Sequence, residues 1–155
     1  MSDTGHADQL ESAKRASAPN STSQKAFMAD LLKSVSRSFF LTLRILPSKL
    51  RVPIGLAYLL ARTADTIADT QVLPPGARLL HLLSFRAQVQ GPINAKDLQS
   101  LNDAMKANRS NPDENELLIS ATKTLVLLET LSEKDRRSVR SVVITLIKGM
   151  EMDLQ

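Results

Sequence analysis

Apolar side chains recur every three or four residues from Phe27 to Met152, and no segment alternates at period two between turn residues. That spacing lines one face of an α-helix and cannot line one face of a strand. The chain is therefore expected to be all-α. Proline and glycine divide the pattern. Phe27, Leu31, Ser34, Ser38, Leu41 and Ile45 fall on one helical stripe, which begins near Lys25 and which Pro47 stops. A second helix is expected to open at Pro53, a favoured first-turn position, and to end near Pro74-Pro75-Gly76. Three more are expected at about 77–90, 97–108 and 112–130, with Gly91-Pro92 and the polar stretch Asn108–Asn111 between them. Asn111 can cap the helix that starts at Pro112. The last helix starts at Ser132, where Ser132 and Asp135 resemble a capping box with Asp in place of Glu. Its apolar stripe is Val139, Val142, Val143, Leu146, Ile147 and Met150.

Residues 1–24 are polar and rich in Ser and Ala, so a disordered tail is expected there. The hydrophobic fraction of 43% is enough for a core, and with no Trp and one Tyr that core must be aliphatic. There is no Cys, which excludes disulfides and thiolate metal sites. A metal here would sit on oxygen ligands, which favours a hard cation such as Mg²⁺. A net charge of +4 fits a solvated surface. Nucleic-acid binding is the weakest reading, because Lys and Arg are scattered and aromatic side chains for stacking are few. No apolar run approaches the ~18 residues of a membrane span, and the N-terminus lacks a signal-like apolar stretch. A cytoplasmic location is the matching expectation. The chain stops at Gln155 inside an amphipathic helix with no breaker, so a truncated chain is expected.

The second helix carries the chemistry. At about 100° per residue, Tyr58, Arg62, Asp65 and Asp69 fall within about 60° of one another, with Leu56, Leu60 and Ile67 opposite. Asp65 and Asp69, at i and i+4, point the same way from adjacent turns. Such a pair can share a divalent cation, and Mg²⁺ commonly bridges carboxylates to substrate phosphates. Arg62 beside them can fork onto a phosphate or hold a carboxylate. The same residues also fit an exposed face with an Arg62–Asp65 ion pair, which would leave a non-catalytic helical interaction module. On the first helix, Ser36-Arg37-Ser38-Phe39-Phe40 combines hydroxyls, a guanidinium and rings. The two readings part at one point. Only an enzyme needs Tyr58, Arg62, Asp65 and Asp69 to face an apolar cavity between helices.

Taken together, SVSRSFFLTLRILPSKLR and IGLAYLLARTADTIADT resemble the opening of the squalene/phytoene synthase family, the head-to-head members of the all-α isoprenoid synthases. Ser36, Ser38 and Phe39 match that family's S-x-S-F stretch. Tyr58, Arg62, Asp65 and Asp69 match its Y-x-x-x-R-x-x-D-x-x-x-D stretch, the first Asp-rich motif. Gly149-Met150-Glu151-Met152-Asp153-Leu154 is similar to its G-M-x-x-D-L. The resemblance covers about residues 26–155 and implies that 25–155 is the N-terminal half of the helical domain.

The resemblance implies a Mg²⁺-dependent prenyltransferase that joins two prenyl diphosphates. Farnesyl diphosphate to presqualene diphosphate and squalene is favoured, and geranylgeranyl diphosphate to phytoene comes next. Asp65 and Asp69 would bind Mg²⁺, and Arg62 the diphosphate. Ser36 and Phe39 would shape the first substrate site, and Tyr58 would line the cavity. NADPH would be needed if the product is squalene, and an apolar product implies peripheral membrane contact. The second Asp-rich motif of the family is absent from these residues. Thr66 after Asp65 looks more like squalene synthases, while Gly149–Leu154 reads more like the phytoene side. Half a bundle is expected to be inactive alone, marginally stable and prone to self-association.

Overall fold

Apolar stripes and their breakers yield eight helices and no strand among the described residues, 21–105 and 112–155 of a computed structural model. They are α1 (Ser21–Val35), α2 (Arg37–Leu43), α3 (Ser48–Asp69), α4 (Pro75–Gln90), α5 (Ala95–Met105), α6 (Pro112–Ile119), α7 (Ala121–Thr130) and α8 (Glu133–Asp153). The expected tail lies outside the described residues as far as residue 20, and its last four residues already belong to α1. The polar stretch Asn108–Asn111 also lies outside them, as does the end of the helix expected to reach residue 108.

Four boundaries depart from the sequence expectation: α3 ends at Asp69, where Thr70 is extended (φ −62°, ψ 136°), short of Pro74, and three others depart as follows. The single helix expected from Lys25 to Ile45 is two. Ser36 is extended (φ −156°, ψ 97°), and its hydroxyl accepts the Phe39 N–H at 3.3 Å, capping α2. Serine offers the backbone this alternative to an unbroken helix. Pro53 does not open α3, which starts five residues earlier at Ser48 and keeps the proline inside. The missing N–H would have met the carbonyl of Lys49, an exposed residue; the turn before the helix is laced separately by Arg51, whose Nε donates to the Leu46 carbonyl at 2.9 Å and Nη2 to that of Arg44 at 3.1 Å. The helix expected over 112–130 is interrupted at Ser120. The break is slight, since Ser120 N–H still bonds the Glu116 carbonyl (2.9 Å) and Thr124 N–H bonds that of Ser120 (3.0 Å).

Other ends follow the expected chemistry. Ser132 accepts the Asp135 N–H at 3.2 Å and caps α8. Gly91 closes α4 at φ +88°, where a side chain would be strained. Asn94, which the apolar spacing does not single out, caps α5 by accepting from the N–H groups of Lys96 (3.0 Å) and Asp97 (3.3 Å).

Two cores meet on α3. Leu60, Ala64 and Ile67 pack with Leu82 and Phe85 of α4, Leu125 and Leu128 of α7, and Val143 and Ile147 of α8. Leu56 and Leu59 pack instead with Leu31 and Leu32 of α1 and Leu43 of α2. Helix α1 approaches α3 closely at Gly55, where an added Cβ would sit 3.1 Å from Met28 Cε and 3.3 Å from Leu32 Cδ1. The α8 stripe splits. Val139, Val143 and Ile147 are buried and Met150 half-buried, whereas Val142 is 54% exposed and Leu146 47%. A ridge on a helix has two edges, and only one of them meets α3 and α4. The same helix seats Glu151, nearly buried, with Oε1 3.0 Å from Nε of Arg86 on α4, within ion-pair distance but not aligned for a hydrogen bond.

These contacts set three expectations. The purified chain should give a helical far-UV circular dichroism spectrum with no dominant β contribution. Leu60→Ala, at a fully buried position in the larger core, should cost about 2–5 kcal/mol in thermal or denaturant unfolding. Val142→Ala should stay within about 0.5 kcal/mol, because that side chain is mostly in solvent already.

Candidate active site

Helix α3 is desolvated on the sides that meet α1, α4, α7 and α8, so its polar residues divide into two kinds. Thr63 and Thr66 lie on buried positions and turn their hydroxyls back onto the helix, to the carbonyls of Leu59 (2.8 Å) and Arg62 (3.0 Å). Backbone acceptors within reach make threonine tolerable there. Tyr58, Arg62, Asp65 and Asp69 occupy the remaining face, as their spacing predicts.

Along that face the environment changes. At the apolar end, the Tyr58 ring stacks on Phe39 of α2, with centroids 4.0 Å apart and planes 14° from parallel. Both residues are half-buried. One turn on, Arg62 Nη1 donates to Asp65 Oδ2 at 3.2 Å. Their side chains are 39% and 42% exposed, and Asp69, a further turn on, is exposed. An ion pair this open is worth little in stability, about 0–1 kcal/mol, and leaves the guanidinium able to change partners. The aromatic end of the face is thus a ring stack between α2 and α3. At its carboxylate end the face is open among the described residues.

All six residues singled out in the sequence belong to one strip. Ser36 caps α2 through the Phe39 N–H, Phe39 stacks on Tyr58, and Arg62, Asp65 and Asp69 continue along α3. The hydroxyl of Ser36 acts there as an acceptor for the backbone. One neighbour is not foreshadowed by the sequence: Arg78 of α4 reaches back to donate Nη1 to the Ala68 carbonyl at 3.0 Å. A cation at the C-terminal turn of a helix complements its dipole and fixes the end that carries Asp69. Nothing in the spacing of Pro74-Pro75-Gly76-Ala77-Arg78 points to that contact.

The donor set suits a hard cation in part. Two carboxylates one turn apart, both reachable from solvent, can supply protein oxygens to Mg²⁺, with water and phosphate oxygens completing the shell. No group of three or more metal-ligating side chains gathers among the described residues.

The sequence profile of the squalene/phytoene synthase family matches residues 32–155. The chain is 38% identical over 63 residues to "Squalene synthase LSS" of Botryococcus braunii, 36% over 63 residues to a squalene synthase of Nicotiana benthamiana, and 37% over 59 residues to one of Solanum lycopersicum. These alignments take in 38–41% of this chain but only 14–15% of the relatives, so the similarity spans about one seventh of their length. No solved structure matches the chain significantly. The profile runs through both the α2 cap and the α3 strip, and the fold around them is all-α: the chain belongs to the squalene/phytoene synthase family.

Proposed function

We propose that the strip from Ser36 to Asp69 is a half-site for a prenyl diphosphate, in an enzyme that condenses two such molecules head to head. The observation that carries this reading is the change of polarity along one face. Stacked rings stand at one end, and a guanidinium with two carboxylates at the other. From Tyr58 to Asp69 is eleven residues of helix, or about 16 Å. A molecule with an anionic head and an apolar tail fits that gradient, and a wholly polar ligand does not.

The residues divide the work. Mg²⁺, when bound, would neutralise charge on the departing diphosphate. Asp65 and Asp69 would hold it by their carboxylate oxygens. Arg62 would move one donor from Asp65 to a phosphate oxygen, a shift that an exposed ion pair permits at small cost. Phe39 and Tyr58 would keep water from the allylic carbon and present ring faces to the positive charge that develops there. Ser36 holds the start of α2 and thereby the position of Phe39.

Farnesyl diphosphate is the favoured substrate and squalene the favoured product, with phytoene second. Thr66 supports this order by its likeness to squalene synthases at the position after Asp65; it is buried and bonded to its own helix. A squalene product would bring NADPH into the reaction. The working location is the cytoplasm, against a membrane that receives the apolar product.

Two measurements test the reading. In an enzyme that carries this segment together with a second acidic motif, Asp65→Asn should lower turnover by about a hundredfold or more while the helical spectrum is retained. Unchanged turnover would remove Asp65 from the metal site and favour a helical interaction module instead. Residues 1–155 alone, incubated with farnesyl diphosphate, Mg²⁺ and NADPH, should form no coupled hydrocarbon, since one acidic pair and one Arg offset only part of the charge that ionisation creates. Efficient release of diphosphate with such a product would show that this pair suffices.

A further inference from the structure

The corner where α2 turns into α3 combines three features that the prenyl half-site does not use. The first is exposed apolar surface. Ile45, in the turn, is 85% exposed, and Leu41, Leu50 and Ile54 around it are 49%, 46% and 36% exposed. The second is charge of one sign. Between Asp30 and Arg62 the sequence holds Lys33, Arg37, Arg44, Lys49 and Arg51 and no acidic residue. That is +5 within 31 residues of a chain whose total is +4, and all five are exposed. The third is a cavity of about 230 Å³ beside the corner. Phe40, Leu43 and Val52 are among its apolar lining, and its charged lining residues are Lys25, Arg44 and Arg51.

We propose that this corner docks on the surface of an anionic phospholipid bilayer. Exposed aliphatic side chains enter the boundary between head groups and acyl chains, and basic residues beside them meet lipid phosphates. The charged residues of the corner's own segment, Arg44, Lys49 and Arg51, are all cationic and exposed, which is complementary to an anionic surface. The same charges would repel an identical face, which argues against a second copy of this chain as the occupant. The turn is braced from within, since Arg51 bonds the carbonyls of Arg44 and Leu46, and Ile45 is therefore presented on a fixed loop. The acidic end is also placed well. From Leu50 to Asp65 is fifteen residues of helix, or about 22 Å, more than twice the screening length of about 8 Å at physiological salt. The carboxylates therefore do not weaken the attraction.

Orientation follows, and this part rests on the proposed prenyl half-site. Ile54, one turn before Tyr58, continues the apolar end of the strip toward the corner. A tail anchored by its head near Asp65 would point at the membrane, where an apolar product has to go.

The test is co-sedimentation of the 155-residue chain with vesicles of phosphatidylcholine alone or with phosphatidylglycerol added. Binding should require the anionic lipid and fall with added salt. Each basic residue near such a surface changes partitioning about fivefold, so Arg44→Ala with Lys49→Ala should weaken binding by about twenty-fivefold. Ile45→Glu should weaken it by about tenfold or more, whereas Val142→Glu on α8 should leave it unchanged. All of these side chains are exposed, and circular dichroism checks that the variants keep the fold. No binding to anionic vesicles, equal binding to neutral ones, or equal loss from Val142→Glu would each overturn the proposal. So would a dimer in sedimentation equilibrium that Ile45→Glu dissolves, since the corner would then be an interface between copies. Vesicle binding needs no prenyl diphosphate, so it can fail while the half-site reading stands, and the converse holds for Asp65→Asn.

Discussion

The burial of α3 is the constraint on which the rest of the structure depends. Leu56, Leu59, Leu60, Ala64 and Ile67 lose all contact with solvent, and they do so against helices from both ends of the chain. Burying a large aliphatic side chain is favourable by about 1.5–3 kcal/mol, so this set on one helix fixes its rotation about its own axis. Once that rotation is fixed, only one face is left for charged side chains, and every charged residue of its second half lies there. Thr63 and Thr66 stay on the buried side because their hydroxyls find carbonyls one turn back.

The joins from α1 to α2 and from α2 to α3 work by hydrogen bonds where α3 itself works by burial. Ser36 ends one helix and starts the next, which turns Phe39 toward Tyr58 and Leu43 toward Leu56. Arg51 then ties the turn that follows, so the chain enters α3 at a fixed angle. The aromatic end of the strip is thus made by two helices. Its charged end is made by one, and is correspondingly open. The far end of α3 is tied differently, by Arg78 of α4 donating to the Ala68 carbonyl. Helix α8 closes the packed side with Val143 and Ile147, and Glu151 facing Arg86 couples it to α4.

How much of this is legible in the residues depends on the range of the interaction. Spacing alone puts Leu56, Leu60 and Ile67 opposite Tyr58, Arg62, Asp65 and Asp69, because a helix is a rigid ruler of about 100° per residue. It also marks Ser132 as a cap, since the bond to Asp135 spans three residues. The division at Ser36 escapes the spacing because the apolar stripe runs through it unbroken. The start of α3 is misplaced because Pro53 is a good first-turn residue.

The sequence by itself determined the all-α class, the family and the membership of the polar strip, because each depends on residue types at fixed offsets along one or two helices. Only the tertiary structure decided that Phe39 meets Tyr58, that Val142 and Leu146 stay in solvent while Val143 and Ile147 do not, and that Arg86 and Arg78 act on α8 and α3. Those contacts join residues up to 65 positions apart, as from Arg86 to Glu151, and no local offset encodes them. They are set by which helix faces can be desolvated together, a property of the packed chain and not of any one segment.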